Sequence, residues 1–190
     1  MRVTKLAAYL GLGVTVMAII GVGMFLVRAQ PMAGVRPRCG VTAGEKAIAF
    51  QAETVTGRMV RFPDDYQGKV VLLDFWATWC EDCRAELPNV MAAYQKYHAN
   101  GFEIVGVSLD KTNQSATLQR FVQEHDMTWP EIYDGGYWEA ALAVKYGVRS
   151  TPCPVLVDGD TGIVLGSGSQ VIGPGLTRLL EPALVAKNKK

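Results

Sequence analysis

Between Lys69 and Tyr94 the hydrophobic pattern changes period, and that change constrains the fold more than any other feature of the chain. Lys69-Val70-Val71-Leu72-Leu73-Asp74-Phe75 is a nearly continuous apolar run rich in β-formers, the pattern of a strand buried on both faces. Further on, Leu87, Val90, Met91 and Tyr94 recur at i, i+3, i+4 and i+7, the stripe of an amphipathic helix. Pro88 lies inside that stripe and predicts a kink, while Asn100-Gly101 supplies a C-terminal cap. Cys80 and Cys83 stand at the handover from strand to helix.

Phe102 to Leu109 reads as a second buried strand, which makes a βαβ unit with a right-handed crossover. Ala49 to Phe62 alternates around Thr56-Gly57, a hairpin signal. Leu118, Phe121, Val122 and His125 predict a helix with His125 on its apolar stripe. Trp129 to Tyr133 reads as a short strand, and Trp138 to Tyr146 as a helix closed by Gly147. Pro154–Val157 and Ile163–Leu165 flank the turn Asp158-Gly159-Asp160-Thr161-Gly162. Leu176, Leu179, Leu180 and Leu184 form a last helical stripe, interrupted by Pro182. The expected domain is α/β, a central mixed β-sheet with helices on both faces.

A C-x-x-C at such a junction puts the first sulfur at a helix N-terminus, where unpaired N–H groups and the macrodipole stabilise a thiolate. The second sulfur, one turn on and expected to be more buried, can attack a mixed disulfide. Other chemistries lack their residues. Zinc wants a second close pair, whereas Cys39 and Cys153 are isolated and His98 and His125 lie far off in sequence. Haem attachment needs His where Arg84 stands. A calcium loop from Asp158 meets Ser169 at its twelfth position. Gly166-x-Gly168 lacks the third glycine of a dinucleotide loop. No metal and no cofactor is expected.

Ahead of the domain, Leu6 to Val27 is 22 consecutive residues without a charge, flanked by Arg2, Lys5 and Arg28. About 20 apolar residues span a bilayer core, so residues 6–27 are expected to be a transmembrane anchor behind a short tail, 1–5. Cleavage near Ala29, leaving a soluble periplasmic protein, is the alternative. Pro31, Gly34 and Pro37 mark 28–43 as linker, 44–186 as the redox domain and 187–190 as a solvated basic tail. Four cysteines in a membrane-tethered chain place that domain on the extracytoplasmic side of the cytoplasmic membrane. With 19 Lys+Arg against 18 Asp+Glu, the net charge of +1 offers no basic face for nucleic acid.

The segment Leu73-Asp74-Phe75-Trp76-Ala77-Thr78-Trp79-Cys80-Glu81-Asp82-Cys83-Arg84-Ala85-Glu86-Leu87-Pro88 resembles the active-site segment of the thioredoxin superfamily. More narrowly, it is similar to the membrane-anchored TlpA/ResA-like thiol–disulfide oxidoreductases. Tyr146-Gly147-Val148-Arg149-Ser150-Thr151-Pro152 resembles that family's second signature, and the turn at 158–162 its following hairpin. The likeness runs from about Gly44 to Leu180. It implies that Cys80 attacks, that Cys83 resolves, and that Asp74 is the buried acid serving the resolving thiol. It also implies an acid–base role for Glu86, a substrate groove walled by Thr151 and Pro152, and Trp79 at its rim. The implied activity is disulfide exchange in the direction of reduction, acting on exported cysteine-containing proteins, apocytochrome c or copper-site proteins among them. The implied electron donor is a membrane dithiol reductase of the DsbD/CcdA kind.

Three departures bear on function. The ResA-like branch often has Asn where Asp74 stands. Asp82 replaces the usual proline, so Glu81 and Asp82 set two anions beside the Cys80 thiolate, each opposing it by about one pKa unit. That predicts a poise toward reduction. Cys153, directly after Pro152, has three open readings: a disulfide with Cys39, a buried free thiol, or a third redox thiol. A peroxidase is disfavoured by Ala77, where Thr is needed. A Sco-like copper-binding factor wants C-x-x-x-C and a distal His, and a non-catalytic tethered module would not need both thiols and both acids.

Overall fold

The computed structural model describes residues 38–189. The expected anchor, the short tail before it and most of the linker lie outside those residues. Among the described residues no helix is long and apolar enough to cross a membrane.

Among the described residues the first regular element is an antiparallel hairpin, β1 (Phe50–Glu53) and β2 (Met59–Phe62). Gly57, at φ +82°, supplies the left-handed residue of its turn. The main sheet comprises β3 (Val70–Trp76), β4 (Phe102–Ser108), β5 (Glu131–Tyr133), β6 (Cys153–Asp158) and β7 (Val164–Ser167). Their spatial order is β5-β4-β3-β6-β7. β3, β4 and β5 run parallel, whereas β6 and β7 join antiparallel, so the sheet is mixed as expected.

The α-helices among the described residues are α1 (Glu81–Tyr97), α2 (Ser115–Glu124), α3 (Ala141–Lys145) and α4 (Pro174–Lys187). Successive β3 side chains alternate between two covered faces. Leu72, Asp74 and Trp76 face a cleft shared with α1, α2 and α4. Phe75 points the other way, where its ring packs on Tyr146 just past α3, at 5.2 Å between centroids. Every β3 residue except Asp74 is buried. That double coverage is why the sequence of β3 reads as an unbroken apolar run rather than an alternating one.

Several local expectations are corrected. α2 ends at Glu124, so His125 lies past the helix and is exposed, stacked on Phe121 at 4.0 Å rather than packed in the core. Trp138 to Tyr146 is not one helix but a 3-10 turn followed by the five residues of α3, broken at the extended Ala140. α4 passes through Pro182 without ending, its buried Leu180 and Leu184 anchoring both sides of the proline. By contrast, α1 contains Pro88 as expected and gives way to a 3-10 turn capped at Gly101, φ +97°, where the sequence put its C-terminal cap. Lys187 is no solvated tail: its ammonium bridges Asp158 at 3.1 Å and Asp160 at 2.8 Å. At the other end the body reaches back to Cys39 and Val41, both buried.

Candidate active site

Ala77-Thr78-Trp79 turns the chain from β3 into α1, with Cys80 as the N-cap residue. Its backbone is extended, φ −79° and ψ 109°, and its Sγ accepts the Cys83 N–H at 3.1 Å. The sulfur thus occupies the place of an ordinary capping oxygen, at the positive end of the helix. Cys80 and Cys83 are joined as a disulfide with Cα atoms 5.2 Å apart. The second cysteine is not the more buried: the two are 6% and 7% exposed. Cys80 is folded back over the helix end by its capping bond instead of projecting into solvent.

The turn is braced from behind. Asp110, fully buried, accepts the Thr78 hydroxyl at 2.6 Å and the Thr78 N–H at 3.2 Å. Ser108 donates to the same carboxylate at 2.7 Å. Trp79 is 40% exposed, its indole N–H donating to the Leu109 carbonyl at 3.3 Å. Its ring meets Tyr137 at 5.3 Å and Trp138 at 5.9 Å, forming an aromatic ledge beside the cysteines.

Asp74 sits within β3 between Gly106 of β4 and Pro154 of β6. Its carboxyl opens on the cleft that Cys83, Glu86, Leu87 and Pro152 also line. Burial pushes its pKa up to about 7, and the Glu86 charge adds to that rise. Glu86 accepts the Gly173 backbone N–H at 2.6 Å and an Asn89 amide N–H at 3.2 Å. It therefore has a structural bond to the start of α4 as well as an electrostatic effect on Asp74.

The Thr151–Pro152 peptide is cis, with Thr151 half-buried and Pro152 buried in the same cleft as Cys83. Cys153, the first residue of β6, lies opposite Phe75 and is bonded to Cys39 with Cα atoms 5.7 Å apart. Both are buried, so of the three readings of Cys153 the structure carries the disulfide. Glu81 and Asp82 are exposed on the first turn of α1.

Sequence reasoning missed Asp110, Tyr137 and Glu131. Glu131 is 2% exposed and accepts two indole N–H groups, from Trp76 at 2.9 Å and Trp129 at 2.7 Å. Burial pushes its pKa up to about 8, the two indoles opposing that rise and the charges of Asp74 and Asp110 adding to it. The available signals were weak: an acid at the head of a short apolar strand, and a glycine inside the strand pattern at 106.

The site combines a helix-capping sulfur, a second sulfur within bonding reach and an acid that titrates near neutrality behind them. That arrangement can pass two electrons and a proton between dithiol and disulfide.

Known proteins give the same answer. The AhpC/TSA family profile matches residues 43–165. Thiol-disulfide oxidoreductase ResA of Bacillus thuringiensis subsp. konkukian is 31% identical over 121 residues, covering 64% of this chain. That match spans 66% of the relative, just under two thirds of its length. ResA of Bacillus anthracis is 31% identical over 138 residues, 73% of this chain and 74% of the relative. Among solved structures, the thioredoxin domain of a thiol-disulfide oxidoreductase from Bacteroides vulgatus superposes with a TM-score of 0.63. It is 25% identical and covers 76% of this chain and 99% of that one.

Proposed function

From the premise that the chain belongs to the AhpC/TSA family, and that its domain is that of a thiol–disulfide oxidoreductase, we propose that the protein reduces disulfides in exported proteins. The observation that carries this reading is Cys80 capping α1 through its own sulfur, with Asp74 in the cleft beside Cys83.

In the proposed cycle the Cys80 thiolate attacks one sulfur of a substrate disulfide. The substrate S–S bond breaks, a mixed disulfide forms, and one substrate thiolate leaves. Cys83 then gives its proton to Asp74 and attacks the Cys80 sulfur. The Cys80–Cys83 disulfide forms, the mixed disulfide breaks, and the second substrate thiolate leaves and takes a proton from water. Two electrons have moved to the substrate, and a dithiol donor must return them. Thr151 and Pro152 offer an edge on which an extended substrate segment can dock, and the Trp79 ledge a surface for its apolar side chains.

The location is part of the proposal. The uncharged run 6–27 supports a single-pass anchor, and the buried Cys39–Cys153 disulfide suits an oxidising compartment. The donor is then a membrane dithiol reductase of the DsbD/CcdA kind, and the substrates are exported proteins such as apocytochrome c or copper-site proteins.

Expression of the full chain with Cys83→Ser should capture substrates as mixed disulfides on Cys80, released by dithiothreitol and identified by mass spectrometry. Recovery of cysteine-containing exported proteins is expected. Recovery of cytoplasmic proteins alone would overturn the location, and absence of any adduct would overturn the exchange reading.

A further inference from the structure

Asp74, Gly106 and Glu131 form one row across three parallel strands, Asp74 opposite Gly106 and Gly106 opposite Glu131. The middle position has no side chain, and the space it leaves is occupied. A Cβ built on Gly106 would lie 2.0 Å from Glu131 Oε2 and 2.3 Å from its carboxyl carbon. Glu131 has therefore folded over β4 toward β3, into the place a β4 side chain would fill. It is held there by the indole of Trp76, which stands two residues beyond Asp74 and so on the same face of β3. Trp129 fixes the other oxygen. Trp76 and Asp74 both line the cleft that reaches Cys83.

Resting on the exchange reaction proposed above, we propose that Glu131 is a positioning residue of that reaction: a second buried acid, set across Gly106 from Asp74, that governs how Asp74 exchanges a proton with Cys83.

Two neighbouring acids in one row of the sheet cannot both ionise freely, so they titrate as a coupled pair. Asp74 ionises near pH 7 and Glu131 near pH 8, the Asp74 charge contributing to the later step. As pH rises the row therefore passes through a state with one negative charge and one proton before the second proton leaves. Once Glu131 also ionises, its charge raises the proton affinity of Asp74, which makes Asp74 the stronger base toward Cys83. The other groups facing the pair are Glu86, Arg84 and Cys83 from α1 and Asp110 beyond β4. α2 brings Phe121, whose ring lies on Trp76, and Val122, and the turn of the first hairpin brings Arg58 to the pocket that Glu131 also lines.

The experiment uses the full chain in detergent. Reduced protein is converted to a thionitrobenzoate adduct on Cys80, and release of thionitrobenzoate by Cys83 is timed from pH 5 to pH 10. The wild type should accelerate through two ionisations, near pH 7 and near pH 8. Glu131→Gln should lose the upper one and keep the lower, and Gly106→Ala, which evicts the carboxyl, should do the same. A variant profile with both steps intact, or one slowed equally at every pH, would overturn the inference and leave the exchange reading standing. Absence of release in the wild type would overturn the exchange reading and this inference with it. Should both variants fail to fold, carboxyl-carbon NMR of the wild type decides. Asp74 and Glu131 should each follow a two-step curve, and independent single steps would overturn the pairing.

Discussion

The Glu86 carboxylate accepts the Gly173 backbone N–H at 2.6 Å, so the helix that begins at the cysteine pair is tied to the N-cap residue of the last helix. Two effects of Glu86 can be separated. Glu86→Gln keeps an acceptor but removes the charge that helps raise Asp74, so Asp74 should ionise below pH 7. Glu86→Ala also removes the bond, and should cost roughly 1–2 kcal/mol of stability. Carboxyl-carbon NMR and urea unfolding of the two variants check these outcomes.

Stability should fall as pH rises from about 4 to about 8. Asp74 and Glu131 ionise near pH 4 in an unfolded chain but near 7 and 8 in the fold. The folded state therefore holds protons that the unfolded state has lost, and each pH step across that window favours unfolding. Asp74→Asn should remove its share of the slope and raise stability at pH 8 by about 2–4 kcal/mol. Denaturant midpoints at pH 5 and pH 8 measure this, and a larger loss for the variant at pH 8 would mean that Asp74 is held by a partner worth more than its burial costs.

Glu81 and Asp82 stand in water, so their charges should act weakly on Cys80. The paired substitution Glu81→Gln with Asp82→Asn is expected to lower the Cys80 pKa by no more than about half a unit, given a Debye length of about 8 Å. Sequence reasoning alone predicts one to two units. Titration of thiolate ultraviolet absorbance in both proteins distinguishes the two, and a small shift assigns the acidic pair to partner recognition rather than redox poise.

The Cys39–Cys153 disulfide closes a loop of sequence separation 114. Replacing both cysteines by serine should lower stability by about 2–5 kcal/mol, while disulfide exchange at Cys80 and Cys83 persists in the folded fraction. Loss of exchange at a pH and temperature where the variant remains folded would give Cys153 a redox role. Unfolding curves and an insulin-reduction assay on the same samples provide both readings.

Much of this protein is local and was legible before folding was considered. The apolar run at 69–75, the helical stripe from Leu87 to Tyr94 and the cysteines between them are short-range patterns. They determined the strand–turn–helix on which the chemistry sits. The hairpin at 154–165 declared itself by its turn residues in the same way. Where the next few residues decide the pattern failed: α2 stopped one residue short of His125, and the extended Ala140 broke the helix expected from Trp138.

What the tertiary structure decided is non-local. Cys39 meets Cys153 only because β6 returns beside β3, and Lys187 meets Asp158 and Asp160 only because α4 ends over the β6–β7 turn. Glu131 reaches toward Asp74 only because strand register sets both opposite a residue with no side chain. Spacing along the chain encodes which face a residue takes within its own element. Which residues share a row across several strands depends on register and strand order, and these are settled when the whole sheet buries its two faces at once.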